Sequence, residues 1–416
     1  MLSDKNLCTK LHETYNASIL ENARRPTRDF FISTAQTAKK LNITKGNQTL
    51  ISLINNYADN KTPIPKYIAG PVSLSLFWSN KYQLYVYVFG EFHSPYTDCH
   101  KYPNYAVDDS MKIETFLEKL MTTTPAFLDV FVEWSPAIDK TAAYAKVGLS
   151  RINAMYEKLQ KCIHYSTRHD KDCDLSRLHW VDVRKGDVSS TTLNDLSYVR
   201  AYLIHRTDYL TATNAAKTLR NILRNDQRMK KILEELNSPS VMDYKNFMEK
   251  QITQSVLVQK EITQTFLRKE IEKFCTEELI KEGLATRELF QRYIPILLDD
   301  NSTDQQIESA LVGLSRATVT VNALTMDFYA LSRIFKKFNI RKSKSKQARE
   351  VDQPESPHNI IIYAGDAHSV RYRKFFDSIG AKRIADVNNR GVSSTINNCI
   401  DISDFPMPFF NEVPKK

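Results

Sequence analysis

Apolar and polar positions alternate along the early chain in ways that predict both helices and strands. Residues 1 to 62 are polar, with amphipathic hints and no strong strand, and predict a helical lead-in that packs on a main domain. Val72, Leu74 and Leu76 alternate with Ser73 and Ser75, so Val72 to Trp78 predicts a half-exposed strand. Ser79-Asn80-Lys81 then turns the chain into Tyr82 to Phe89, apolar apart from Gln83, the pattern of a strand covered on both faces. Ile113, Phe116, Leu117 and Leu120 carry helical spacing within Met111 to Met121, and a third strand follows at Phe127 to Glu133. A strand, helix, strand order favours a parallel crossover.

A further helical stretch near 140 to 163 precedes a fourth strand, Leu178 to Arg184. The block from about 190 to 340 reads as helical almost throughout, with Leu267, Ile271 and Phe274 on one stripe and turns at Asn237-Ser238-Pro239-Ser240 and Asp299-Asp300-Asn301-Ser302. Leu324, Asp327, Leu331, Ile334 and Phe338 form another stripe, in which the Asp327 carboxylate needs a cation, a hydrogen-bonding partner or a metal. That fits a structural salt bridge and a site role equally. Residues 341 to 358 combine like charges, Ser and two prolines, which predicts an exposed, mobile linker. Asn359 to Tyr363 is the last clear strand.

The pattern therefore predicts an α/β fold whose central, mostly parallel sheet is interrupted by a large helical insertion. Its parts are a lead-in over 1–62, the first part of the α/β domain over 63–190, the insertion over 191–340, the linker over 341–358, and the rest of the α/β domain over 359–416.

With 416 residues and 42% hydrophobic content the chain can bury one large core or two smaller ones. The net charge of +10 is mostly dispersed. Its main cluster, Lys336-Lys337 and Arg341 to Lys346, runs into acidic residues without interleaved aromatics, which argues for a solvated linker and against a specific nucleic-acid partner. Six scattered cysteines without a CxxC, and an N-terminus without signal-peptide layout, point to free thiols in a reducing compartment, so a cytoplasmic or virion-associated protein rather than a secreted one. Asn42-Ile43-Thr44 and Asn47-Gln48-Thr49 would then carry no glycan. No apolar run is long enough to span a bilayer.

Chemistry concentrates where the strands end. Gly90-Glu91-Phe92-His93 closes the second strand, and Gly365-Asp366-Ala367-His368 closes the last. Glu133, Asp182 and Arg184 end the two strands between them. In a parallel sheet these ends lie along one edge, where distant residues converge on ligands. Asp129 and Asp182 fit equally well as residues solvated where strands meet loops. Two histidines with one or two carboxylates would suit Zn²⁺, Mn²⁺ or Fe²⁺, or would serve as general acid and base without metal. Cys99-His100 reads as an ordinary loop, and His164 and His169 as solvated. Neither Ser94 nor Ser369 has a nucleophile-elbow setting, and phosphate-loop motifs are absent.

These residues resemble the superfamily that groups erythromycin esterases, ChaN-like haem-binding lipoproteins and the TraB and Tiki proteins. The shared layout is a hairpin leading into Gly90-Glu91-Phe92-His93, a later strand ending at Glu133, and Gly365-Asp366-Ala367-His368 after a largely helical middle. The wealth of Lys, Asn and Tyr also resembles proteins of large DNA viruses. Since members of that superfamily differ in chemistry, the strand-end residues carry the reading, a metal-assisted hydrolase of a small-molecule or peptide substrate. In it His93 and His368 are metal ligands or proton carriers, Glu91 and Glu133 ligand or base, Asp366 an orienting acid and Arg184 an oxyanion donor. It leaves open a binding or structural protein, a haem binder or virion component, that keeps the fold without turnover. Oligomeric state is not legible.

Overall fold

The computed structural model describes residues 27–43, 48–58, 65–92, 109–134, 157–163, 171–183, 256–338, 354–389 and 398–407, with a few single positions, Cys99 among them. The chain divides into two compact units: Met1–Val181 with Lys337–Lys416, and Asp182–Lys336.

The first unit is an α/β domain. Its elements begin with helices α1 (Arg28–Lys40) and α2 (Gln48–Ala58), then strands β1 (Tyr67–Ala69), β2 (Ser73–Ser79), β3 (Leu84–Glu91) and β4 (Ser110–Lys112). Helix α3 (Ile113–Thr123), β5 (Leu128–Val132) and β6 (Ser176–Trp180) follow. Six strands make the main sheet in the order β6, β5, β7, β3, β2, β8, where β7 is Asn359–Gly365 and β8 is Lys382–Asn388. β6, β5, β7 and β3 run parallel, β2 is antiparallel to β3, and β8 is antiparallel to β2. A smaller sheet joins β4, β1 and β9 (Cys399–Asp401).

Alternation along the strands explains the two faces. Leu74, Leu76, Trp78, Tyr85, Tyr87, Phe89, Val130 and Ile361 share one core with Phe31 and Ala35 of α1, Leu50 and Ile54 of α2, and Phe116, Leu117 and Leu120 of α3. The two described helices of the lead-in thus pack on the sheet. The opposite face holds Phe77, whose ring lies 5.4 Å from that of Phe376 on the helix after β7.

The predicted hairpin is present, but β2 is buried on both faces rather than half-exposed. Its serines are not solvated, because hydrogen-bonding partners cover them: Ser73 and Ser75 bond to buried Asp366 and Arg373, and Ser75 also to Asp386. The fourth strand starts and stops earlier than predicted, because it pairs with β5 over its whole length, from Leu128↔Ser176 to Val132↔Trp180.

Much of the predicted linker, 341–353, lies outside the described residues, but its end is docked. Phe338 N donates to Glu355 O at 2.7 Å, Arg177 Nη1 donates to Pro354 O at 3.0 Å, and Pro357 is buried, which corrects the expectation of exposure there. The helical stretch near 140 to 154 also lies outside the described residues.

Free thiols are corrected too. Cys99 is joined to Cys399, and Cys162 to Cys173, by disulfides, while Cys275 is a buried thiol. The inference of a reducing compartment rested on free thiols and loses that support, since disulfides persist where the surroundings oxidise. Among the described residues no helix is long and apolar enough to cross a membrane.

In the second unit the described elements are helices α4 (Val256–Ile262), α5 (Arg268–Leu298) and α6 (Asp304–Ile334). The predicted turn at 299–302 separates α5 from α6, and Thr303 starts α6 with a capping box closed by Gln306. Leu267 and Ile271 are buried, as are Leu324, Leu331, Ile334 and the Asp327 carboxylate among them. Phe338 lies beyond the helix, so the predicted stripe ends one step short. Buried Glu261 of α4 pairs with Lys336 at 2.8 Å and Arg333 at 3.4 Å.

Gly313 lets α6 approach α5. A Cβ there would stand 2.6 Å from Cζ of Tyr293, and closer still to the ring edge. Gly313→Ala is therefore expected to destabilise this helix pair by about 1–3 kcal/mol, as overpacking does. Denaturant unfolding with and without Tyr293→Ala checks it, because trimming the ring should recover most of the loss.

Candidate functional site at the carboxyl ends of β3, β5 and β7

Three neighbouring parallel strands bring Glu91, Glu133, Asp366 and His368 to one sheet edge. In register, Glu91 at the end of β3 lies opposite Gly365 at the end of β7. On the other side of β7, Glu133 follows β5 and donates its backbone N–H to Tyr363 O at 2.9 Å. Immediately beyond Gly365 the chain turns into helix α7 (Asp366–Ser378), so Asp366 and His368 occupy the first turn of a helix rather than a loop.

Glu133 is the hub. Its Oε2 accepts the Gly365 N–H at 2.6 Å, and its Oε1 lies 3.4 Å from His368 Nε2. Glu133 is 7% exposed and His368 5%. A carboxylate at the N-terminal end of a helix is favoured by the unpaired N–H groups and by the helix dipole. A carboxylate facing an imidazole can orient that ring and stabilise its charged form, the arrangement of a general acid or base.

Glu91 approaches from the other side. Strand alternation sets it with Tyr85, Tyr87 and Phe89, whereas Glu133 goes with Asp129 and Phe131 on the opposite face. The Tyr363 hydroxyl donates to Glu91 Oε2. Glu91 and Glu133 thus flank Gly365 from opposite faces of the sheet.

Asp366 is held by a serine and an arginine. Its Oδ1 accepts from Ser73 Oγ at 2.9 Å and lies 3.7 Å from Arg373 Nη1. Arg373 in turn donates to Ser75 Oγ at 2.6 Å, to Ser73 Oγ at 2.8 Å and to Val88 O at 3.1 Å. Ser369 Oγ donates to Phe89 O at 2.7 Å and so ties α7 to β3. Asp366 thus also seats the helix, through the serine and the arginine at its Oδ1.

His93 and Arg184 lie outside the described residues, as do His100, His164 and His169. Asp182 is half-buried just past β6. Sequence reasoning missed Tyr363, Ser73, Ser75 and Arg373. The serines alternating with apolar residues in β2 were the signal, once read as facing a polar helix rather than water.

Asp129 belongs to a separate cluster on the face it shares with Glu133. Arg177 Nε and Nη2 donate to its two oxygens at 2.7 and 3.0 Å, and His179 Nε2 lies 2.8 Å away. His179 is stacked between the rings of Phe131 and Phe338, and the Arg177 guanidinium lies over Phe127 and Phe338. Burial pushes the Asp129 carboxyl up, but the Arg177 charge and the hydrogen bonds from His179 and Arg177 outweigh it and hold the group at about 2. Neighbouring His358 is held below the ordinary imidazole range by burial. Asp129 is thus an internal ion pair, not a solvated strand end.

Glu133 Oε1 and His368 Nε2 are separated as two ligands of one ion would be, since bonds of about 2 Å at tetrahedral angles set donors about 3.3 Å apart. Among the described residues no group of three or more His, Cys, Asp or Glu is arranged to hold a metal ion. A complete donor set would need a residue such as His93.

No family model, no curated protein and no solved structure matches this chain. The fold and the convergence at its strand ends define an α/β protein with a mostly parallel sheet.

Proposed function

We propose that the protein is a hydrolase of an ester or peptide substrate, with its site at the carboxyl ends of β3, β5 and β7. The observation that carries this reading is the buried Glu133–His368 pair, built from two adjacent strand ends and backed by the Gly365 N–H. In it Glu133 holds the His368 ring, and the imidazole takes a proton from the attacking water and returns it to the leaving group. Glu91, held by Tyr363, borders the same edge. In the alternative form of this reading, a divalent ion, zinc, manganese or iron, would be held by His368 and Glu133 together with His93 and would supply an acidified water.

One observation favours a second reading, a binding or structural protein that keeps the fold. Glu91 and Asp366 are both engaged by the sheet itself, which leaves fewer groups for chemistry. The test is metal analysis of protein purified without a metal-binding tag, together with a panel of esters and peptides. Hydrolysis of any panel member that tracks with the purified protein is expected. Protein that hydrolyses none while binding haem or a virion partner would replace the first reading by the second.

A further inference from the structure

The two glycine motifs are physically interlocked. A Cβ on Gly90 would lie inside the contact distance of the Asp366 carboxylate and 2.6 Å from Ser73 Oγ, so the bare backbone of the first motif is the seat for the acid of the second. That acid is 7% exposed, and burying a carboxylate requires a counter-charge. Arg373, 6% exposed, reaches it from further along the same helix. Its Nε and Nη2 donate to Ser75, Ser73 and Val88 O, so its fork spans β2 and β3. The start of α7, and with it His368, is thereby fixed to β2 and β3, across β7 from Glu133.

We propose that Arg373 is a positioning residue for the Glu133–His368 pair: by neutralising and seating Asp366 against Gly90, it sets the approach of His368 to Glu133. This deepens the hydrolase reading, but its test follows His368 directly and does not depend on turnover.

The experiment is ¹H–¹³C NMR of the histidine rings in the full chain, with the His368 cross-peak assigned by its loss in His368→Gln. Arg373→Met leaves Asp366 without its counter-charge, and Gly90→Ala fills the seat with a methyl group. Both are expected to displace the His368 cross-peak from its wild-type position while far-UV circular dichroism is retained. Asp366→Asn combined with Arg373→Met should return it, since a carboxamide can still accept from Ser73 and needs no cation. A cross-peak at the wild-type position in Gly90→Ala, or one in the double variant displaced as far from wild type as in Gly90→Ala, would overturn the proposal. These two variants decide it even where Arg373→Met alone does not fold.

Discussion

Arg177→Met should cost the α/β unit about 3–5 kcal/mol, the range found when one partner of a buried ion pair is removed and the other is left behind. Asp129 is fully buried, and Arg177 supplies both the nearest full charge and two of its hydrogen bonds. Urea unfolding measures the loss, and a value below about 1 kcal/mol would mean that His179 alone carries the carboxylate. Replacing both partners by apolar residues should recover most of the loss, because no uncompensated charge then remains. The same pair gives a pH signature. The Asp129 carboxyl is held at about 2 in the folded protein, below its ordinary value in an unfolded chain. Its contribution is therefore complete above about pH 4 and is lost as pH falls through about 2, an effect on the order of 2 kcal/mol. Asp129→Asn should flatten stability over that acid window and leave the neutral range parallel to wild type.

His368→Ala should lower hydrolytic turnover by about 10²–10⁴-fold, the usual contribution of a positioned acid or base. His368 is buried at the first turn of α7 but lies outside the main apolar cluster, so far-UV circular dichroism should show the fold retained. Glu133→Gln distinguishes its roles. A carboxamide can still accept the Gly365 N–H but cannot stabilise an imidazolium, so kcat falls with KM little changed if Glu133 works through His368. Parallel loss of bound metal and turnover would instead make Glu133 a ligand. Equal activity in both variants and wild type would remove the pair from any catalytic role.

The parts of the fold that were legible in the sequence are those whose burial is apolar. β2, β3, β5 and β7 announce themselves through Val, Ile, Tyr and Phe, and their parallel order follows from the helix between β3 and β5 and the long excursion before β7. Helix α7 was not visible, because its buried face carries Asp366, His368, Ser369, Arg371 and Arg373 beside Tyr372, Phe375 and Phe376, and a hydrophobic period cannot register a face that is half polar. β8 escaped for the opposite reason: as an edge strand of sequence KRIADVN it shows charge to solvent, as edges do to resist further pairing. β1, β4 and β9 have three residues each, too few for alternation to be read. Of the candidate site, Glu91, Glu133, Asp366 and His368 were found because strand ends share an edge. Their division between the two faces, and the capture of Asp366 by Arg373, depend on a helix that the sequence pattern hid.

The bond between Cys99 and Cys399 closes the backbone into a covalent ring of most of the chain, with residues 1–98 and 400–416 outside it. All of the unit from Asp182 to Lys336, and both strands β5 and β7 that carry the Glu133–His368 pair, lie on that ring. A single peptide bond hydrolysed anywhere on it opens a circle instead of parting two fragments. The halves that build the sheet then stay within one molecule, at a fixed local concentration, and separate only when the sulfurs are reduced.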